Sequence, residues 1–375
     1  MKTIAIIGAS YLQLPLVEKA REMGLHTLCF AWSNGAVCKD VADEFYPISV
    51  TEKEWILGIC ADKHIDGICT IASDVAAPTV AFVAEKLGLV GNSYAAAIRA
   101  NDKSQMRQAF SKAGIPCPRY QVVNSIGQLD LRLLSFPVIV KPVDRSGSLG
   151  VLRVDHEEKL PSALDIALEM SFKHMAIVEE YIEGREISVE FISSEGIHYP
   201  LQITDKITTG PPHFVELEHH EPADLTEEWK LKVNDLTRRA LSALGVTNGA
   251  SHSEYRITED GRIYVMEIGA RMGGDFIGSD LVYLSTGYDF LKGVIQVALG
   301  EFEVPIFGKQ CHAGIFFLCK ETSALYDLIH DHRVPQTVRA VITDDVLHEV
   351  KSSADRSGYL IYKDDKRIVL CNFRS

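Results

Sequence analysis

The 375-residue sequence is long enough for two or three domains with a cleft between them. Hydrophobic residues make up 46% and charged residues 24%, which excludes a disordered, fibrous or coiled-coil chain. A formal net charge of −13, spread along the chain, opposes nucleic acid and anionic membrane as partners, so a polyphosphate must be met by lysines, arginines and a divalent cation gathered locally.

Eight cysteines, at 29, 38, 60, 69, 117, 311, 319 and 371, form no CxxC pair and no zinc spacing, and read as reduced thiols of a cytoplasmic protein. The N-terminal MKTIAIIGAS meets Gly8 too soon for a signal peptide or a membrane span and predicts a first β-strand. That strand, 3–7, is followed by a helical pattern to about 23 and a second strand at 26–31. Helix-like 52–62, strand-like 66–71 and helix-like 75–87 complete a parallel α/β layer over residues 1–95, Rossmann-like in shape. Its Gly8-Ala9-Ser10 turn is not the dinucleotide fingerprint, and Asp43 is not clearly placed to bind a ribose. Ser73-Asp74, just beyond the 66–71 strand, stands where ligands gather in open α/β sheets, although a helix cap explains it equally well.

From about 96 the texture changes to α+β. A helix (DKSQMRQAFSKAG) precedes a Pro-punctuated connection, a strand ending in FPVIVKP and the turn DRSGSLGV. Residues 176–192 read as two strands around a Glu-Gly turn, and 227–244 as a long amphipathic helix. The strand pair SHSEYRIT and RIYVMEI follows, joined across Glu-Asp-Gly. The last residues, 301–375, carry short strands (HAGIFFL, RIVLCNF) and predict a closing subdomain with few catalytic candidates.

Lys141, at the end of an apolar strand, is either a phosphate ligand beside the backbone N–H groups of Ser146, Gly147, Ser148 and Gly150, or a solvated hairpin lysine. The strongest local signal is ASHSEYRITEDGRIYVMEIGARMGGD. There Glu254 and Glu267 lie on adjacent strands, and two carboxylates facing one cleft call for a cation such as magnesium. Arg271 is then placed to offset charge on a phosphoryl group, and Gly273-Gly274 allow close backbone approach to a ligand. His252 shares the face of Glu254, where a structural role competes with a catalytic one.

In order and spacing, NDKSQMRQAF, FPVIVKP, DRSGSLGV, VEEYIEGREIS, HSEY and MEIGARMGGD resemble the ATP-grasp superfamily over about residues 1–300. The resemblance implies a Rossmann-like domain (1–95) before a two-lobed ATP-grasp domain (96–300, lid lobe about 115–185), with ATP and Mg2+ or Mn2+ bound between the lobes. By it Lys103 and Lys141 contact phosphates, loop 144–151 is a lid, Glu179, Glu180 and Ile182 frame adenine, and Glu186 holds ribose. Glu254 and Glu267 bind the metal and Arg271 the transferred phosphate; Gly269 departs from the asparagine that many relatives use as a further metal ligand.

The segment 203–225 with EIGARMGGD looks most like the L-amino-acid ligase branch, close to carbamoyl-phosphate-synthase-like proteins. That branch implies a carboxylate-amine ligase working through an acyl-phosphate. Glu216 and His219 would approach the amino-acid substrate, Asp74 would be a weaker contact to its amino end, and the assembly would be a homodimer. Carboxylation, purine-type ligation and a non-catalytic nucleotide-binding regulator are the competing readings.

Overall fold

The computed structural model describes residues 1–133, 135–147 and 149–370. Its first element is β1 (Thr3–Ile7), a β-branched run with four of five residues buried, as a strand covered on both faces requires. There follow α1 (Leu14–Glu22), β2 (His26–Phe30), β3 (Glu44–Tyr46), α2 (Lys53–Asp62), β4 (Gly67–Cys69) and α3 (Ala77–Leu87). The strands form a parallel sheet in the order β3-β2-β1-β4, the expected α/β layer. Asp43, just before the short β3, accepts hydrogen bonds from the backbone and hydroxyl of Thr27 and so braces the sheet edge.

Two helices, α4 (Tyr94–Asn101) and α5 (Lys103–Ala113), lead out of this layer. Asp102 caps α5 by accepting from the backbone of Ser104 and Gln105. The helix stops at Gly114, whose φ of 64° suits a residue without Cβ. A small antiparallel lobe then contains β5 (Tyr120–Val123), β6 (Val138–Pro142), β7 (Leu152–Val154), α6 (Leu160–Met170) and β8 (Ala176–Glu180), with strand order β5-β8-β6-β7. Val138, Val140 and Val178 of its sheet pack on Leu164 and Ala167 of α6.

The rest of the chain builds a large lobe from β9 (Arg185–Ser194), β10 (Ile197–Thr208), β11 (Glu216–Glu221), α7 (Glu227–Leu244), β12 (Gly249–Ile257), β13 (Ile263–Gly269), α8 (Val282–Thr286), α9 (Phe290–Ala298), β14 (His312–Leu318), α10 (Ala324–His330), β15 (Thr337–Ile342) and β16 (Gly358–Asp364). Its antiparallel sheet runs β13-β12-β9-β10-β11-β14-β16-β15. The amphipathic α7 spans the expected 227–244, capped by the Thr226 hydroxyl, and buries Val233, Leu236, Leu241 and Leu244 against this sheet.

Three expectations change. The two strands of 176–192 both form but do not pair: β8 belongs to the small lobe and β9 to the large one, so 181–184 cross between lobes instead of closing a hairpin. Gly184 is required there, since a Cβ would lie 2.4 Å from the Ile257 carbonyl oxygen. The closing subdomain of 301–375 is not separate, because β14, β15 and β16 extend the large sheet through β11. Of RIVLCNF, 367–370 are not a strand and the remainder lies outside the described residues; the strand nearby is Gly358–Asp364.

The N-terminal layer also draws on later sequence. Phe290, Val294 and Ile295 of α9 pack with Ile4, Ile6, Leu16 and Val17 in one buried cluster, across the division expected at 95. Each fully buried aliphatic side chain of this kind contributes roughly 1.5–3 kcal/mol to holding the first layer on the large lobe. Among the described residues no helix is long and apolar enough to cross a membrane, and the seven described cysteines are free thiols.

Candidate active site

A cleft of about 640 Å³ opens between the lobes, with Lys103, Lys141, Ile182, Asp74, Glu216 and Asp275 in its lining. Its floor is one face of the large sheet. Because side chains alternate, residues two apart on a strand share that face, and strand pairing sets them in rows. One row runs Arg256, Glu186, Lys206, His219 across β12, β9, β10 and β11. The next holds Glu267, Glu254, Ser188 and Thr204, and a third holds Gly269, His252, Glu190 and Gln202.

At the lobe boundary, Lys141 reaches in from β6 and pairs with Glu179 at 2.8 Å. The other Glu179 oxygen takes Arg107 Nε at 2.6 Å. Burial disfavours the charge on Glu179, yet Arg107 and Lys141 hold its pKa at about 2. Lys103, the first residue of α5, places Nζ 3.0 Å from Glu267 and 2.6 Å from the Arg145 carbonyl oxygen. Ser146, Gly147 and Gly150 line the cleft; Ser148 lies outside the described residues.

The side chains of two residues expected at the adenine turn away from the cleft. Glu179 is 1% exposed and turned onto Arg107 and Lys141, while Glu180 pairs with Arg119 on the outer side of the lobe crossover. Only Ile182 of that trio lines the cleft, with its neighbour Tyr181. Glu186 also lines it, 3.1 Å from Arg256 Nη2. Burial pushes the Glu186 pKa up, countered by Lys206 and reinforced by Glu254.

Glu254 and Glu267 stand opposite each other on β12 and β13, beside a bulge at Glu254/Tyr255. Both turn into the cleft. Lys206 lies 2.5 Å from Glu254 Oε1, 3.4 Å from Glu216 and 3.6 Å from Glu186. Burial works against its charge, but these carboxylates raise its pKa well above the usual lysine value. His252 bonds Glu190 through Nδ1 and Glu254 through Nε2 at 3.4 Å. Burial again opposes the charge, and Glu190 with Glu254 lifts the imidazole to about 9. Buried Glu190 also accepts from the Gly273 backbone at 3.0 Å, tying the strand face to the loop after β13.

Arg271, also in the cleft lining, is gripped by Asp74 through Nε and Nη2, both at 2.8 Å. Asp74 therefore joins the site through an arginine. Gly269 follows from that pair, because a Cβ at 269 would sit 2.7 Å from Asp74 Oδ1. Arg356 bridges Glu216 at 3.2 Å and Asp275 at 2.8 Å, with its guanidinium 3.7 Å from the Phe317 ring centre. Asp275, at φ 50°, adopts a left-handed conformation that Asp tolerates better than most residues. Between these carboxylates His219 is 1% exposed, and among the described residues neither ring nitrogen has a hydrogen-bond partner; Asp275 stands off at 3.9 Å. Burial pushes the His219 pKa down, which keeps the imidazole neutral.

Sequence reasoning missed Arg107, Lys206, Asp275 and Arg356. For Lys206 a signal existed, since it alternates with Thr204 in ITDKIT and therefore shares the face of a long strand. Arg356 stands in SSADRSGYL, a stretch with no local mark of burial.

A family model for the ATP-grasp domain matches residues 134–280. The alanine-anticapsin ligase of Bacillus subtilis (strain 168) is 29% identical over 245 residues, covering 59% of this chain and 51% of the relative. The chain thus spans about half the length of the first curated relatives it matches. A D-alanine-D-alanine ligase of Trichlorobacter lovleyi is 30% identical over 219 residues, covering 56% of this chain and 68% of that protein. The solved L-amino acid ligase from Bacillus licheniformis superposes with a TM-score of 0.80 at 25% identity, covering 98% of this chain and 94% of the other. With these relatives, and two lobes facing each other across opposed glutamates and lysines, the chain belongs to the ATP-grasp family.

Proposed function

We propose that the protein phosphorylates the carboxylate of an amino acid with Mg-ATP and couples the acyl-phosphate to an amine, giving an amide or dipeptide with ADP and phosphate. The observation that carries this reading is the pair Glu254 and Glu267, opposed across two strands and facing the cleft beside Lys103, Lys141 and Arg271.

The two carboxylates are hard oxygen donors of the kind magnesium takes. Among the described residues no group of three or more His, Cys, Asp or Glu side chains is close enough to hold a cation unaided. The pair therefore suits a metal that arrives with the triphosphate, whose oxygens complete its shell. Magnesium held there would neutralise charge on the phosphoryl oxygens.

The chain's own groups supply the rest. Lys103 and Lys141 donate to phosphate oxygens, loop 144–151 closes over them, Ile182 packs on the adenine and Glu186 accepts from the ribose. Arg271 offsets charge on the transferred phosphoryl group, where fixed donors act before any reorganisation. Glu216 pairs with the substrate ammonium. His219, neutral and without a partner among the described residues, is free to donate or accept at the nascent phosphate or amide. Closure of the glycine-bearing loop keeps water from the acyl-phosphate.

Phosphate release from Mg-ATP, measured across amino acids singly and in pairs with product mass, tests the proposal. Release dependent on one acid, with a product one water lighter than its two substrates, is expected. No stimulation by any amino acid while nucleotide still binds would overturn it.

A further inference from the structure

Asp74 and Arg271 stand 197 residues apart in the chain and meet in a two-point ion pair in the lining of the cleft. Asp74 rises from the turn that links β4 to α3 in the first layer; Arg271 follows β13 in the large lobe. That turn is held at several points. Ile71 forms an isolated parallel bridge with Met272, the Ala72 backbone donates to the Met272 carbonyl at 3.1 Å, and Gln13 Nε2 donates to the Ile71 carbonyl at 2.7 Å. Ala72 adopts a left-handed φ of 55°, a conformation that costs a residue with a Cβ on the order of 1 kcal/mol and persists where surrounding contacts impose it.

The ion pair consumes two of the three guanidinium nitrogens on the side facing Asp74. Nη1 remains, with one bond to the Met272 carbonyl at 3.2 Å. An arginine gripped through Nε and Nη2 has a fixed plane, so its remaining N–H has one direction. The grip also needs space. An ideal Cβ at 269 would lie 2.7 Å from Asp74 Oδ1, 3.2 Å from Arg271 Nε and 3.3 Å from its Cζ. All three neighbours belong to the pair, so a side chain at 269 would have to displace it.

We infer that Asp74 is a positioning residue for Arg271, aiming the guanidinium at the transferred phosphoryl group, and that position 269 is glycine because the Asp74 carboxylate fills the space of its side chain. The inference rests on the proposed phosphoryl contact of Arg271. It makes the first layer a working part of the site, since the large lobe alone would leave Arg271 unaimed.

The test uses the full chain with Asp74→Asn, Asp74→Ala, Gly269→Ala and the double variant Asp74→Ala/Gly269→Ala. Turnover is read as phosphate release from Mg-ATP, with separate kcat and KM for ATP and amine, ADP affinity and Tm. Asp74→Ala is expected to lower kcat about 100-fold, the scale of a small misplacement of a charge-stabilising group, with ADP affinity within about twofold. Asp74→Asn keeps the shape and part of the bonding and is expected to lose less. Gly269→Ala is expected to lower Tm by about 2 °C or more in the natural background and by much less beside Asp74→Ala, because the atom it strikes has gone.

Equal destabilisation by Gly269→Ala in both backgrounds would overturn the pairing. A rise in amine KM with kcat unchanged would overturn the positioning role and make Asp74 a substrate contact. The thermal coupling needs no turnover, so failure of the ligase reading and failure of the pairing give different results.

Discussion

The Glu179 carboxylate holds Arg107 at 2.6 Å with one oxygen and Lys141 at 2.8 Å with the other, and all three side chains are buried. Burying three charges is tolerable only while the carboxylate offsets the cations. The carboxylate thus offsets both cations and holds Lys141 where it lines the cleft.

Glu179→Ala should then act as a stability mutation. Removing one partner of a buried ion pair leaves the others uncompensated, at a cost of about 3–5 kcal/mol. The carboxylate titrates at about 2 in the fold, below its ordinary 4.5, so its contribution is present above pH 4.5 and fades as pH falls toward 2. Urea unfolding at neutral pH, and acid unfolding from pH 5 downward, check this. A variant as stable as the natural chain, with weakened nucleotide binding, would return Glu179 to the adenine.

Nucleotide binding should instead separate Glu186 from Glu180. Glu186 lines the cleft, whereas Glu180 pairs with a largely exposed Arg119 outside it. Glu186→Ala is expected to weaken ADP binding by about tenfold, the loss of ~1.4 kcal/mol of hydrogen bonding, and Glu180→Ala by less than about twofold. Isothermal titration of the two variants reads the difference directly; equal losses would place the nucleotide elsewhere along the crossover.

Lys206 sits among Glu254, Glu216 and Glu186 and is the positive charge these three carboxylates share, beside Arg256 on Glu186, Arg356 on Glu216 and His252 on Glu254. Lys206→Met should leave them repelling one another in a buried setting. Tm is expected to fall by several degrees in the nucleotide-free protein and to recover in part with Mg-ADP, which brings a cation to the carboxylates. Melting curves with ADP alone and with Mg-ADP test this. Recovery no larger with Mg-ADP than with ADP alone would remove the carboxylates from metal binding.

Local features of this fold were legible and its charge network was not, for one reason. The β-branched run at 3–7, the amphipathic stretch 227–244 and the hairpin carrying Glu254 and Glu267 are set by neighbours within a few residues, and each is found where the sequence places it. Lys206 meets Glu254, and Arg107 meets Glu179, only after strands and helices far apart in sequence have paired. Periodicity carries no information on that pairing. The same limit misread 176–192, since two strands around a glycine look alike whether they pair or part into different lobes. Gly269 was visible as a departure, but its cause lay in a turn 195 residues earlier.

Glu221 offers a pH test independent of catalysis. Its side chain is fully buried at the end of β11, where Ser285 and Thr204 hydroxyls each donate to it at 2.8 Å. Burial pushes the carboxyl up to about 8, against those two hydrogen bonds and with nearby Glu190 adding to the rise. At neutral pH the folded protein therefore carries a proton here that the unfolded chain, near 4.5, has released. Because the native state binds more protons in this window, stability falls as pH rises from about 4.5 to 8 and changes little from this group outside it. The slope reaches about 1.4 kcal/mol per pH unit at most. Glu221→Gln keeps the shape and can still bond both hydroxyls without a titrating proton. It should flatten the slope between pH 5 and 8 and leave the variant more stable than the natural chain at pH 8, by about 1–3 kcal/mol. Urea midpoints at pH 6, 7 and 8 give the answer: converging curves toward acid support the buried neutral carboxyl, and parallel curves would mean that Glu221 is ionised in the fold.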